Sequence, residues 1–142
     1  MLKSIPKNLS PELVKILMEM GHGDEIVLAD AHYPAASNAR NLVRCDGLGI
    51  AELLTSILQF LPLDTYATYG SGLMEAPAGV KTPEIWKTYR DIMAQANVEN
   101  AKIEMIERFD FYERGKKAYA IVATGEVALC ANIILKKGVV TT

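Results

Sequence analysis

The chain has 142 residues, 50% of them hydrophobic and 23% charged, with a formal net charge of −2. That is an ordinary soluble globular composition, long enough for one domain over residues 1–142 with a core of its own. The charge offers no basic surface to nucleic acid, and the apolar runs, such as 118–123, are far too short to span a membrane.

Residues 1–7 contain no apolar signal-peptide core. The two cysteines, Cys45 and Cys130, show no metal-ligand spacing, so a reduced cytoplasmic setting is the simplest expectation. Ser10, Pro11 and Glu12 combine a capping hydroxyl, a proline at the first helical position and an acid in the first turn. Leu13, Ile16, Leu17 and Met20 then recur at helical spacing, and Gly21 is expected to end this helix in the left-handed conformation. Residues 25–29 form a strand whose continuous run Ile26-Val27-Leu28-Ala29 predicts cover on both faces. Residues 38–41 read as loop, and 42–45 as a second strand closed by the turn pair Asp46-Gly47.

A helix over 50–60 presents Ile50, Leu53, Leu54 and Ile57 on one face, and Pro62 stops it. Residues 63–66 are expected to begin another strand, with Asp64 near its start. The glycine-, alanine- and proline-rich stretch 70–79 is expected to be a loop and a candidate lid. Thr82-Pro83-Glu84 repeats the helix-start pattern, with Ile85, Trp86, Tyr89, Ile92 and Met93 forming the apolar face of the helix. Residues 101–106 are strand-like, 109–117 suit one or two helical turns, and 119–123 and 133–135 are the last strands. Helices and strands alternate throughout, which predicts an α/β fold with a central sheet flanked by helices.

The two histidines of the chain, His22 and His32, flank the strand at 25–29. His22 stands between two glycines, where a sharp turn lets other groups approach the ring. An imidazole titrates near neutral pH and can both give and take a proton; a histidine there can equally serve to balance the end of the preceding helix. His32 has the weaker claim, because Tyr33-Pro34 beside it reads as a turn. Asp30 and Asp64 lie near expected strand ends, where a carboxylate either accepts sugar hydroxyls or caps a turn. Arg108 and Arg114 bracket Phe109, Phe111 and Tyr112, a group that offers a stacking face and a phenol or simply packs. Asn132 opens the last strand as a candidate hydroxyl partner or a turn residue. Cys130 has no visible activating group and reads as an inert thiol. Gly70 and Gly72 lack the dinucleotide-binding pattern.

Taken in order, long blocks of the chain resemble one family, the L-fucose mutarotases, relatives of the D-ribose pyranases. The blocks include Ser10-Pro11-Glu12-Leu13, the run from Met20 to Asp30, and Arg44 with Asp46-Gly47-Leu48. Leu61-Pro62-Leu63-Asp64-Thr65-Tyr66, Glu107-Arg108-Phe109 and Phe111-Tyr112-Glu113-Arg114 follow. Ala123-Thr124-Gly125-Glu126 and Asn132 to Gly138 complete the match. The resemblance implies an isomerase that interconverts the α and β anomers of free L-fucose without metal or other cofactor. It also implies ring-shaped homo-oligomers, typically decamers of two stacked pentamers, with sites close to subunit interfaces. His22 would be the acid/base, with Tyr112 or Asp64 as the second catalytic group. Asp30, Arg108 and Asn132 would hold the sugar. One departure stands out: the family has tyrosine, glycine and asparagine before the last strand, where this chain has Cys130-Ala131-Asn132, so Cys130 takes the place of a sugar-contacting phenol. A D-ribose pyranase and a non-catalytic monosaccharide-binding protein are the alternative readings.

Overall fold

The capping hydroxyl of Ser10 accepts a hydrogen bond from the Leu13 amide at 3.1 Å and starts helix α1 (Pro11–Glu19). Its Leu13, Ile16 and Leu17 side chains are buried, as their spacing predicts. These observations come from a computed structural model that describes residues 1–141. Met20 leaves the helix directly into extended backbone, so Gly21 is not the left-handed residue expected from the sequence. That conformation falls two residues later, at Gly23 (φ +87°), whose amide donates to the Lys137 carbonyl at 2.8 Å. Only a glycine takes this backbone without strain.

Strand β1 (Glu25–Ala29) follows, and its Ile26, Val27, Leu28 and Ala29 are all fully buried. Next come α2 (Ala35–Asn38), β2 (Leu42–Cys45) and α3 (Ile50–Ile57). After them lie β3 (Ser71–Met74), α4 (Glu84–Gln95), β4 (Ile103–Ile106), α5 (Arg108–Lys117), β5 (Ala120–Thr124) and β6 (Ile133–Lys136). The six strands make one sheet in the order β2-β5-β1-β6-β3-β4. β6 runs antiparallel to both of its neighbours, β1 and β3, and the pairs β1–β5, β2–β5 and β3–β4 are parallel.

Alternation along the strands divides the core between the two faces. Ile26, Leu28, Val122, Ile133 and Leu135 pack with Leu13, Leu53, Leu54, Tyr89 and Met93 on the face covered by α1, α3 and α4. Val27, Ala29, Ile121, Ala123 and Ile134 pack with Tyr33, Ala35, Phe111 and Ala118 on the opposite face, under α2 and α5. Each large aliphatic side chain buried in this way contributes about 1.5–3 kcal/mol relative to exposure. The α/β fold with a central sheet flanked by helices is therefore present.

Three segments differ from the sequence expectation, and in each a tertiary contact overrides the local signal. Residues 63–66 form no strand. Leu63 makes a single bridge to Lys137, and the Asp64 carboxylate folds the next residues into a turn by accepting from the Tyr66 and Ala67 amides at 3.1 and 3.2 Å. The stretch 70–79 is not all loop, because Ser71–Met74 is an inner strand with four buried residues. A side chain at Gly72 would lie 2.5 Å from Ile106 Cδ1 and 3.1 Å from Ile134 Cγ2, so the bare glycine is what fits between the neighbouring strands. The segment expected as one or two turns is the ten-residue helix α5, capped by Glu107, whose carboxylate accepts from the Phe109 and Asp110 amides at 2.9 and 3.0 Å.

Tyr33 lies under α5 with its hydroxyl buried and without a hydrogen-bond partner among the described residues. A methyl group at Gly115 would sit 2.2 Å from that oxygen but 3.4 Å from the ring carbon bearing it. Gly115→Ala should therefore destabilise the fold by about 1–3 kcal/mol through overpacking. Adding Tyr33→Phe should restore most of that loss, because it removes the clashing atom and an unpaired polar group together. Urea unfolding of the single and double variants checks this; a double variant no more stable than Gly115→Ala would refute it.

Candidate active site

The first cluster of candidate residues sits at the N-terminal end of β1. The turn Gly21-His22-Gly23 presents the imidazole there, and His22 Nε2 lies 2.9 Å from Asp64 Oδ1. The His22 side chain is 45% exposed, whereas that of Asp64 is 5% exposed, so the carboxylate is the buried anchor and the ring the accessible group. The ring also packs on Tyr66, with centroids 5.0 Å apart and planes tilted by 55°. Burial pushes the Asp64 carboxyl up, but the His22 ring and the Tyr66 and Ala67 amides outweigh it, leaving the group below its ordinary value. Asn100 secures this turn from behind, its buried amide donating to the carbonyls of Asp64, Ala67 and Thr68 at 2.8, 3.2 and 3.3 Å.

The second cluster lies at the C-terminal end of β1. Asn132, 5% exposed, clasps Asp30 twice: its Oδ1 accepts from the Asp30 amide at 2.7 Å and its Nδ2 donates to Asp30 Oδ2 at 3.2 Å. The His32 amide donates to Asp30 Oδ1 at 3.0 Å; here His32 contributes backbone rather than its ring. α5 begins on the same side of the sheet, beyond the end of β4. Arg108 Nε donates to the Tyr112 hydroxyl at 3.4 Å, and the guanidinium stands over the rings of Phe109 and Tyr112 at 5.5 and 5.6 Å. The Tyr112 ring packs edge-on against Tyr33, 5.3 Å between centroids. Cys130, two residues before Asn132, adopts a left-handed backbone (φ +54°), and burial followed by the Asp30 charge pushes its thiol up, away from the reactive thiolate.

The candidate residues thus fall into two groups. His22 and Asp64 meet at one end of the sheet; Asp30, Arg108, Tyr112, Cys130 and Asn132 gather at the other. Between them runs β1, whose five residues at about 3.3 Å each give roughly 16 Å of separation. A single monosaccharide cannot touch both groups within one chain. Tyr66 and Tyr33 are site neighbours that the sequence did not single out. Tyr66 had one usable signal, its place two residues after an aspartate suited to fold a side-chain turn; Tyr33 had none. Arg114, bracketed with Arg108 in the sequence, turns away to bridge Glu104 at 2.9 Å and Glu25 at 2.5 Å, and so ties α5 to the sheet. Among the described residues, no three His, Cys, Asp or Glu side chains gather as a metal site requires, and no helix is long and apolar enough to cross a membrane.

Because the Asp64 carboxyl is held below its ordinary value, the folded chain binds fewer protons there than the unfolded one. Its contribution to stability is full above the unfolded carboxylate pKa, about 3.9, and is lost as pH falls through the lower folded value. Urea midpoints measured from pH 5 downward should fall for the wild type and fall less steeply for Asp64→Asn. Equal slopes would refute the assignment.

A model of the RbsD / FucU transport protein family matches residues 3–140. The fucose mutarotase of Mus musculus is 51% identical over 145 residues, which cover 96% of this chain and 94% of that protein. The crystal structure of the fucose mutarotase from Streptococcus pneumoniae in complex with L-fucose aligns with a TM-score of 0.95 at 59% identity, over 99% of this chain and 100% of that one. The structure of Bacillus subtilis RbsD complexed with D-ribose shares the fold, with a TM-score of 0.76 at 24% identity over 99% and 100% of the two chains. On a match that runs almost from end to end, this chain belongs to the RbsD / FucU family.

Proposed function

We propose that this protein is an L-fucose mutarotase, an isomerase that interconverts the α and β anomers of the free sugar. The observation that carries this reading is the likeness, at 59% identity over 99% of the chain, to a fucose mutarotase whose structure was determined in complex with L-fucose. The relative with D-ribose shares 24% identity, so the fucose reading is preferred over the ribose one.

Mutarotation needs two proton carriers and little else. A base removes the proton from the anomeric hydroxyl while an acid protonates the ring oxygen. The bond between C1 and the ring oxygen breaks to give the open-chain aldehyde, C1 turns about its bond to C2, and the same steps in reverse close the ring on the other face. His22 is one proton carrier. Asp64 works through it, holding the ring by the 2.9 Å contact and balancing its charge in the protonated state. Tyr112 is the second carrier, its phenol hydroxyl serving as the donor, and the Arg108 guanidinium beside its oxygen favours any negative charge that develops there. Asp30, Arg108 and Asn132 hold the sugar hydroxyls, with Cys130 at the rim.

The working unit is a homo-oligomer, a decamer of two stacked pentameric rings. In it one copy supplies His22 and Asp64, and a neighbouring copy supplies the group around Asp30 and Asn132. Support for a shared site comes from the separation of the two groups along β1. Both cysteines are free thiols, in keeping with a cytoplasmic setting.

Saturation transfer between the anomeric protons of L-fucose measures the reaction directly. The wild type should accelerate exchange, more on L-fucose than on D-ribose, and His22→Ala should lose about 10²–10⁴-fold, the usual weight of one acid/base group. Exchange unchanged by His22→Ala would remove that residue from the mechanism. Equal acceleration of D-ribose would point to a pyranase. Coexpressing His22→Ala chains with Asn132→Ala chains should restore part of the activity, since mixed interfaces rebuild intact sites. Assemblies containing both chains but showing no recovery would overturn the shared site.

A further inference from the structure

Helix α4 carries none of the candidate site residues, yet two of its side chains converge on the segment that leads into β6. Trp86 Nε1 donates to the Cys130 carbonyl at 2.8 Å, and the Tyr89 hydroxyl donates to the Ala131 carbonyl at 2.7 Å. Trp86 is 7% exposed and Tyr89 fully buried. The two carbonyls are consecutive, and the residue after them is Asn132, the partner of Asp30. The segment is not relaxed backbone, because Cys130 has φ +54° with a side chain attached. Such a conformation persists only where the surroundings over-determine it. Burial holds the Tyr89 phenol protonated, so it remains a donor at any working pH.

We propose that Trp86 and Tyr89 are positioning residues for the sugar site: by clamping the Cys130 and Ala131 carbonyls they set the backbone from which Asn132 reaches Asp30. This inference rests on the reading that Asp30 and Asn132 hold the sugar. Satisfying two buried carbonyls is also ordinary core chemistry. What distinguishes the clamp is its effect on substrate handling, transmitted through Asn132 alone.

The test uses Tyr89→Phe, which keeps the ring and deletes the donor, with Trp86→Phe as a second variant, alone and in an Asn132→Ala background. KM and kcat for L-fucose are read from saturation transfer at varied sugar concentration on the assembled protein. Tyr89→Phe should raise KM about 2- to 12-fold, the range one net hydrogen bond commands, with kcat changed less than about twofold. In the Asn132→Ala background the same substitution should add almost nothing, since coupled residues are non-additive. An unchanged KM in both α4 variants, beside a raised KM in Asn132→Ala, would overturn the clamp and leave the sugar site standing. An equal rise in both backgrounds would overturn it too, because the effect would not pass through Asn132. A wild-type KM in Asn132→Ala would overturn the sugar-holding role of that residue, and the clamp with it.

Discussion

Both halves of the candidate site hang on one short antiparallel ladder, that between β1 and β6. Its register pairs Glu25 with Lys136 and Leu28 with Ile133. At one end β6 begins where β1 finishes, which sets Asn132 against Asp30. At the other end the Gly23 amide donates to the Lys137 carbonyl, the Asp64 amide to the Lys136 carbonyl, and Leu63 bridges to Lys137, which brings Asp64 to His22. A slip of one residue would turn the apolar set of β6 to the wrong faces and part both pairs together. Burial of Ile133, Ile134 and Leu135 between two layers of helices is what forbids the slip. The hydrophobic register and the polar geometry are therefore one constraint.

The two ends of that ladder suit different chemistry. At the His22 end the carboxylate is the buried member and the imidazole the open one, so the group able to exchange protons faces outward while its partner is fixed by two backbone amides. At the Asp30 end the amide side chain is the buried member and the carboxylate stands partly open. There the anchored Asn132 fixes an acceptor rather than a proton carrier. On the proposed reading, the His22 end supplies one proton carrier, while the Asp30 end recognises hydroxyls and supplies the second carrier through Tyr112; a sugar that opens its ring needs both functions.

Much of the fold was legible in the sequence wherever a periodic apolar pattern was bounded by strong local signals, as in α1 behind Ser10-Pro11 or the continuous run of β1. It was not legible where neighbours decide the outcome. Ser71–Met74 looks like loop because of its glycine, yet that glycine is what lets the strand fit between Ile106 and Ile134. Leu63 and Asp64 look like a strand start, but a buried carboxylate that accepts two amides makes a turn instead. The same limit applies to the site. Asp30, Asp64 and Asn132 each read singly as a turn residue, and His22 as a helix-end residue, with a second possible use. Their pairing spans separations of 42 and 102 residues, which no local pattern encodes, and their sorting to opposite ends follows from strand order rather than from any one residue. Trp86 and Tyr89 read only as an apolar helical face, since their polar ends acquire meaning only beside the carbonyls of residues 130 and 131.

That last contact bears on the departure at Cys130-Ala131, where the family that the sequence resembles has tyrosine and glycine. Two separable things are at stake at this position, a side chain and a backbone path. The phenol is gone, and the short thiol left behind is a poor acceptor or donor. The path is a fixed one: Cys130 takes the left-handed conformation, and Ala131 fits fully buried with its carbonyl held by Tyr89. A backbone held from outside by α4 at both carbonyls does not depend on a glycine at 131 for its course, so the residues at 130 and 131 can differ without moving Asn132. On the proposed reading, recognition at this end of the sheet then falls to Asp30, Asn132 and Arg108, all placed by elements other than residue 130 itself.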